Sequence, residues 1–212
     1  MDTGYLIQNH PVLYHMAEDG SWPSIQEHGL LSTSALLDLF EVRGEKRREI
    51  ESSHRREMTE IFHPEHGSAR IRDNKPMQER ALEECLSGMS LAEWYENLNR
   101  RVFFWVSWQR LDKLLGAKAY RNRRHLVLEV DTASLLAAHG EHASISPINS
   151  GATFPLDPKP RGPETFKRIQ DHPQDRTVVE LAVDYAVPDI AEYVFRVTRR
   201  RAGETPETVY AH

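Results

Sequence analysis

Two side chains far apart in the chain carry the residue types that could do chemistry. His15 closes the apolar run Val12-Leu13-Tyr14 and precedes a polar stretch, a place where strand ends meet clefts. Its imidazole can contact a ligand there, or bond a backbone carbonyl as an ordinary strand-end histidine does. Glu180 lies within Val178-Val179-Glu180-Leu181-Ala182-Val183. Strand alternation sets Val179, Leu181 and Val183 on one face and Glu180 on the other, toward water or a cleft. On composition alone both residues read as structural. His54, His63 and His66 with Glu65 offer the donor types of a divalent-metal site, as do His139 and His142 with Glu141. There is no H-E-x-x-H, and the first group falls in an arginine- and glutamate-rich segment that reads as solvated, so no metal centre is predicted. Cys85, at helical spacing beside Leu82 and Leu86, reads as a small core residue rather than a nucleophile. The chain has no G-x-S-x-G, no G-x-G-x-x-G and no G-x-x-x-x-G-K-[ST]. The usual serine-hydrolase, dinucleotide-fold and P-loop signals are therefore missing.

The elements that must position such residues are legible from periodicity. Pro23 suits the first turn of a helix that Gly29 ends, and Ser32-Thr33-Ser34 can cap the next one. Ser90 with Glu93 forms a capping box ahead of Leu91, Trp94, Tyr95 and Leu98. Strands are predicted at 12–15, at 102–106, at 125–131 and along 177–187. A short helix is predicted near 165–169, and residues 190–197 read as helix or strand. The Pro- and Gly-rich stretch 145–163 reads as a long ordered loop. Helices alternate with strands without a phosphate loop, so the expected class is α+β. We expect one domain over 1–212 with a helical, basic insertion at about 41–100.

Composition narrows the function classes. The 212 residues hold 27 Lys and Arg against 32 Asp and Glu, a net charge of −5, and are 39% apolar. That acidity argues against sequence-blind coating of nucleic acid. Local basic segments at 46–56, 118–124 and 199–201 leave a nucleic-acid partner open, although they also read as solvated faces. No apolar run spans a bilayer, and a single cysteine fits a reducing compartment, so a soluble cytoplasmic protein is expected.

Leu13-Tyr14-His15, then Ser24-Ile25 and Gly29-Leu30-Leu31-Ser32-Thr33, resemble the opening of the ADP-ribosyltransferase-like fold. They are most similar to the bacterial toxins that ADP-ribosylate DNA and to RNA 2′-phosphotransferases. Val179-Glu180-Leu181-Ala182-Val183 followed by Val187-Pro188 and Ile190 resembles the toxins' catalytic-glutamate strand. The chain also resembles a bacterial domain family without assigned function, through Arg101 to Trp105, Asn149-Ser150-Gly151 and Arg161-Gly162. The resemblance implies a split β-sheet core with flanking helices and NAD as co-substrate. It implies that His15 and Glu180 are catalytic and that His15 also positions NAD. Phe103, Phe104 or Trp105 would stack near the nicotinamide, where many family members carry tyrosine. Arg101, Arg121 or Arg161 would meet the diphosphate, and Asn149 and Ser150 would join the cofactor site. Glu180 would stabilise the oxocarbenium-like ribose as the bond to nicotinamide breaks. The implied activity is ADP-ribosyl transfer to a nucleic-acid or protein acceptor, with an antitoxin partner open. The alternative is a non-catalytic module binding a nucleotide or a modified nucleic acid on the same scaffold. Phosphotransfer to NAD would require a basic cluster facing the cleft.

Overall fold

The computed structural model describes residues 1–212. Asp2 accepts hydrogen bonds from the backbone N–H groups of Gly4 and Tyr5 and so starts α1 (Thr3–Asn9). Next come β1 (Val12–Glu18), α2 (Trp22–His28), the two-residue β2 (Leu30–Leu31) and α3 (Thr33–Leu39). Gly29 ends α2, and the Ser32 hydroxyl caps α3. The insertion contributes α4 (Gly44–Glu51), the hairpin of β3 (Thr59–His63) and β4 (Gly67–Ile71), α5 (Glu79–Cys85) and α6 (Leu91–Asn99). The Ser90–Glu93 capping box is formed at the start of α6. The remaining order is β5 (Arg101–Trp105), α7 (Trp108–Leu115), β6 (His125–Asp131), α8 (Thr132–His139), β7 (Ala143–Ser146), β8 (Lys167–Arg168), β9 (Glu180–Asp184), β10 (Ala186–Val187), β11 (Val194–Arg200) and β12 (Glu207–Ala211).

The protein is α+β. Eight strands form one antiparallel sheet in the order β12-β11-β6-β1-β5-β9-β7-β8. Strand β1 pairs with β6 from Val12 to Glu18 but meets β5 only at Tyr14↔Trp105. The sheet is thus two four-stranded halves joined at one position, splaying apart on the side of Glu18 and Arg101. Leu13, Phe104, Leu128, Ile145, Leu181 and Val197 of one face pack against α1, α2 and α8. Met16 and Val127 of the other face are covered by Leu111 and Leu115 of α7. Much of the insertion builds smaller cores of its own: α3, α4 and the hairpin around Ile50 and Ile61, and α5 with α6 around Trp94 and Leu82. No helix is long and apolar enough to cross a membrane.

Several boundaries differ from expectation. Strand β1 continues past His15 because Met16 and Ala17 are buried and keep pairing with β6. The predicted strand 177–187 is broken at Tyr185, whose φ of 66° bends the chain out of the sheet. Ala186 and Val187 then pair with Leu31 and Leu30. In place of a helix near 165–169 there are single 3₁₀ turns on either side of β8. Residues 194–200 are strand, and the basic run 199–201 is partly tied down by Arg199 pairing with Asp19 and Glu207.

Candidate functional site

Where β1 and β5 part, they frame a hollow of about 650 Å³. Its walls are the second half of β1, α2 with the Gly29–Thr33 segment, Arg55, β4 with the residues after it, and the start of β5. His15 stands at the apex of the split. Its Nδ1 lies 2.7 Å from the Phe103 carbonyl oxygen, and its ring meets Phe104 edge-on at 5.7 Å. Burial pushes its pKa down to about 4, helped by the nearby Arg72 charge. The ring is therefore neutral near pH 7, and the carbonyl fixes the proton on Nδ1. Nε2 is left as a hydrogen-bond acceptor.

Two half-buried arginines complete the wall; neither is ion-paired with a carboxylate, although the Asp73 charge of the same hollow acts on both and that of Glu18 on Arg72. Arg55 donates to the backbone oxygens of Arg72 (3.0 Å) and Ile50 and to Asn99 Oδ1 (3.0 Å). Arg72 donates to the Met16 oxygen at 3.3 Å, approaches His125 Nδ1 at 3.3 Å and lies 5.0 Å over the Tyr120 ring. Burial lowers the pKa of both guanidiniums, that of Arg55 to about 10. The carboxylates Glu18 and Asp19 at the same hollow are already matched, by Arg123 at 2.8 Å and by Arg199 at 2.7 Å.

Glu180 is placed elsewhere. Tyr14, Trp105, Glu180 and Ser146 are register partners across β1, β5, β9 and β7, so they share one sheet face. His15, next to Tyr14, belongs to the opposite face. Glu180 does not line the hollow. Its carboxylate is buried and accepts from the Ser150 hydroxyl at 2.7 Å and the Ser150 N–H at 3.1 Å. Desolvation raises its pKa to about 7, against the pull of those bonds and of the Arg161 and Arg110 charges.

The other expected site residues divide the same way. Phe103 and Arg101 border the hollow at the start of β5, but their side chains belong to the Glu180 face: the Phe103 ring lies 5.8 Å from Phe166, and Arg101 pairs with Asp184 at 3.2 Å and lies 4.7 Å over Phe166. Phe104 is wholly enclosed in the core and has no face to offer a cofactor. Trp105 packs beside Tyr14 and the Met16–Leu111 cluster. Arg161 is buried with Nη1 and Nη2 each 3.0 Å from the Ala152 oxygen, so it fastens the 147–162 loop. Ser150 on that loop is spent on Glu180, and Asn149 precedes it there. Arg121 is exposed and off the hollow. Arg55 and Arg72 escaped the sequence reading because they sit among the charged residues of the insertion. The one available signal was Arg72 directly after the alternating stretch Ala69-Arg70-Ile71.

Residues 11–194 match the model of DUF7002, a family of unknown function. The chain belongs to this family. The DUF7002 match runs from just before β1 to the first residue of β11, so it includes the hollow, the β1–β5 junction and Glu180 but not β12 or the rest of β11. No curated protein matches the chain.

Proposed function

We propose that this DUF7002 chain binds a phosphate-bearing dinucleotide of the NAD class in the wedge between β1 and β5, as a nucleotide-binding module on an ADP-ribosyltransferase-like scaffold. The observation that carries the reading is the pair of half-buried guanidiniums of Arg55 and Arg72, neither in direct contact with a carboxylate, at one hollow with His15. Two guanidiniums drawn partly out of water with no carboxylate in direct contact leave room for an anion, and a diphosphate supplies one through charge-assisted bonds. His15 Nε2 is an acceptor suited to a ribose hydroxyl. A hollow of this size falls within the range of ~300–1,000 Å³ usual for small-ligand sites. A cytoplasmic setting, where NAD and a free cysteine coexist, belongs to the same proposal.

Isothermal titration with NAD, ADP-ribose and AMP tests it. Arg72→Lys keeps the charge but loses the fork, and it should weaken NAD and ADP-ribose binding about tenfold or more, as should His15→Ala. Absence of binding heat from both ligands with folded wild-type protein overturns the reading.

ADP-ribosyl transfer to a nucleic-acid or protein acceptor is the second reading, and the pre-set Glu180 carboxylate favours it. Ser150 holds that group through two donors, on the strand paired with β5. Because Glu180 lies on the sheet face opposite His15, this reading requires the nicotinamide ribose to be held on the Glu180 face, with the 147–162 loop withdrawn from the carboxylate. Nicotinamide release that Glu180→Gln abolishes, with NAD affinity little changed, establishes this reading over simple binding. Binding without release leaves the module. An antitoxin partner would follow only from the transfer reading.

A further inference from the structure

The sequence grouped His54 with His63 and His66, and the fold separates them. His54 stacks on Tyr95 at 6.2 Å and contacts the Asn74 oxygen at 3.3 Å. Its place beside the hairpin tip is taken by His28, from the last turn of α2, whose ring lies 5.1 Å from that of His66 at 81°. His63 and His66 stack at 4.7 Å, and Phe40 lies under both, at 6.2 and 5.8 Å. One ligand atom from each of His63, Glu65 and His66 falls within 4.8 Å of the others.

We infer that the tip of the β3–β4 hairpin and the C-terminal end of α2 form a divalent-cation site of the zinc type, with His63, Glu65 and His66 as ligands and His28 as the fourth. Imidazole nitrogens with a single carboxylate are the donor set of a borderline ion such as Zn²⁺, whereas Mg²⁺ and Ca²⁺ want oxygen. The donors are not committed elsewhere. His66 makes no hydrogen bond, His28 has only Glu27 at 3.8 Å, and the His63 Nδ1 contact with the Glu65 N–H is a weak 3.2 Å. Metal–nitrogen distances of about 2.0–2.1 Å require the three hairpin donors to draw together by roughly 1 Å, and the His28 ring, outside that group, to close on His66. The tip can supply that movement: Glu65 is exposed, His63 and His66 are only half-buried, and Gly67 makes the turn at φ 69°. The Phe40 floor gives the polar cluster one dry side. His28 and part of β4 also line the hollow, so a bound ion would pin the hairpin to α2 across its wall. This site stands whether or not the hollow takes a nucleotide.

The test uses metal-free full-length protein with Co²⁺ and Zn²⁺ as probes. Expected are one equivalent of Co²⁺ with the visible absorption of a tetrahedral site, its displacement by Zn²⁺, and a stoichiometry of one by calorimetry. Zn²⁺ affinity should fall about a hundredfold in His66→Ala and at least about tenfold in His28→Ala. The exposed His142→Ala should leave it unchanged. Apo variants should melt with the apo wild type, which separates lost ligation from lost folding. Less than half an equivalent of Co²⁺ on the wild type, or equal affinity in His66→Ala, overturns the site. Loss in His63→Ala and His66→Ala with none in His28→Ala overturns the α2 arm of it.

Discussion

At the scale of single residues, Glu180 and His15 are opposite cases of one cause. Burial disfavours the charged form of each, raising the acid to about 7 and lowering the imidazole to about 4. Between about pH 4.5 and 7 the unfolded chain gives up the Glu180 proton while the folded protein keeps it. The Glu180 contribution to stability therefore falls as pH rises through that window and is flat above it. A displacement of about two units corresponds to roughly 3 kcal/mol. His15 has the reverse sign: its contribution is intact above about 6.5 and is lost as pH falls toward 4. Urea unfolding from pH 4 to 8 should show Glu180→Gln gaining on wild type as pH rises to 7, and His15→Gln gaining as pH falls below 6.5. Parallel curves for either variant mean that its side chain titrates alike in both states. The same shift bears on chemistry, since near pH 7 only about half the Glu180 population would be ionised to face a developing ribose cation.

At the scale of elements, the β2–β10 ribbon depends on a glycine. Gly29 has φ 81°, and a Cβ there would lie 2.4 Å from Pro188 Cα and 2.8 Å from the Val187 oxygen. Gly29→Ala should therefore cost more than about 2 kcal/mol in urea unfolding, because backbone has to move. Gly44→Ala, at φ 64° in open space, should cost about 1 kcal/mol. Equal losses would mean that conformational strain alone decides both. The glycine that ends α2 could be read from the sequence, as could the Ser32 cap and the Ser90–Glu93 box, since each is local chemistry. The Tyr185 break could not. The run through Val183-Asp184-Tyr185-Ala186-Val187 holds no glycine or proline, and the bend is fixed by distant partners, Arg100 O accepting from Tyr185 N–H and Ser32 N–H donating to Tyr185 O. The site was legible in part for the same reason. His15, Arg101 and Phe103 border the hollow as strand residues beside the split. The face on which Glu180 emerges relative to His15 depends on two cross-strand registers, Tyr14↔Trp105 and Trp105↔Glu180, that no periodicity encodes.

At the scale of the molecule, the split is held by side chains where a continuous sheet would use backbone. The Phe103 oxygen accepts from His15 Nδ1, and the Met16 oxygen accepts from Arg72. Strand β6, by contrast, is paired on both sides, with β1 and with β11. Backbone N–H groups of β1 and β5 that face the wedge thus lack the ladder partners that slow exchange with solvent. Amide hydrogen exchange should be faster over 12–18 and 101–105 than over 125–131, since the ladder closes only at Tyr14↔Trp105 beyond the wedge. A dinucleotide in the wedge would bridge the two halves, so saturating NAD should slow the first two segments about tenfold and leave 125–131 unchanged. In His15→Ala the unliganded exchange of 101–105 should rise further, because the side-chain bridge across the split is gone. Exchange equal in all three segments, with or without NAD, would mean that the two halves behave as one continuous sheet. The wedge would then be a shallow surface feature with no ligand-dependent motion to report.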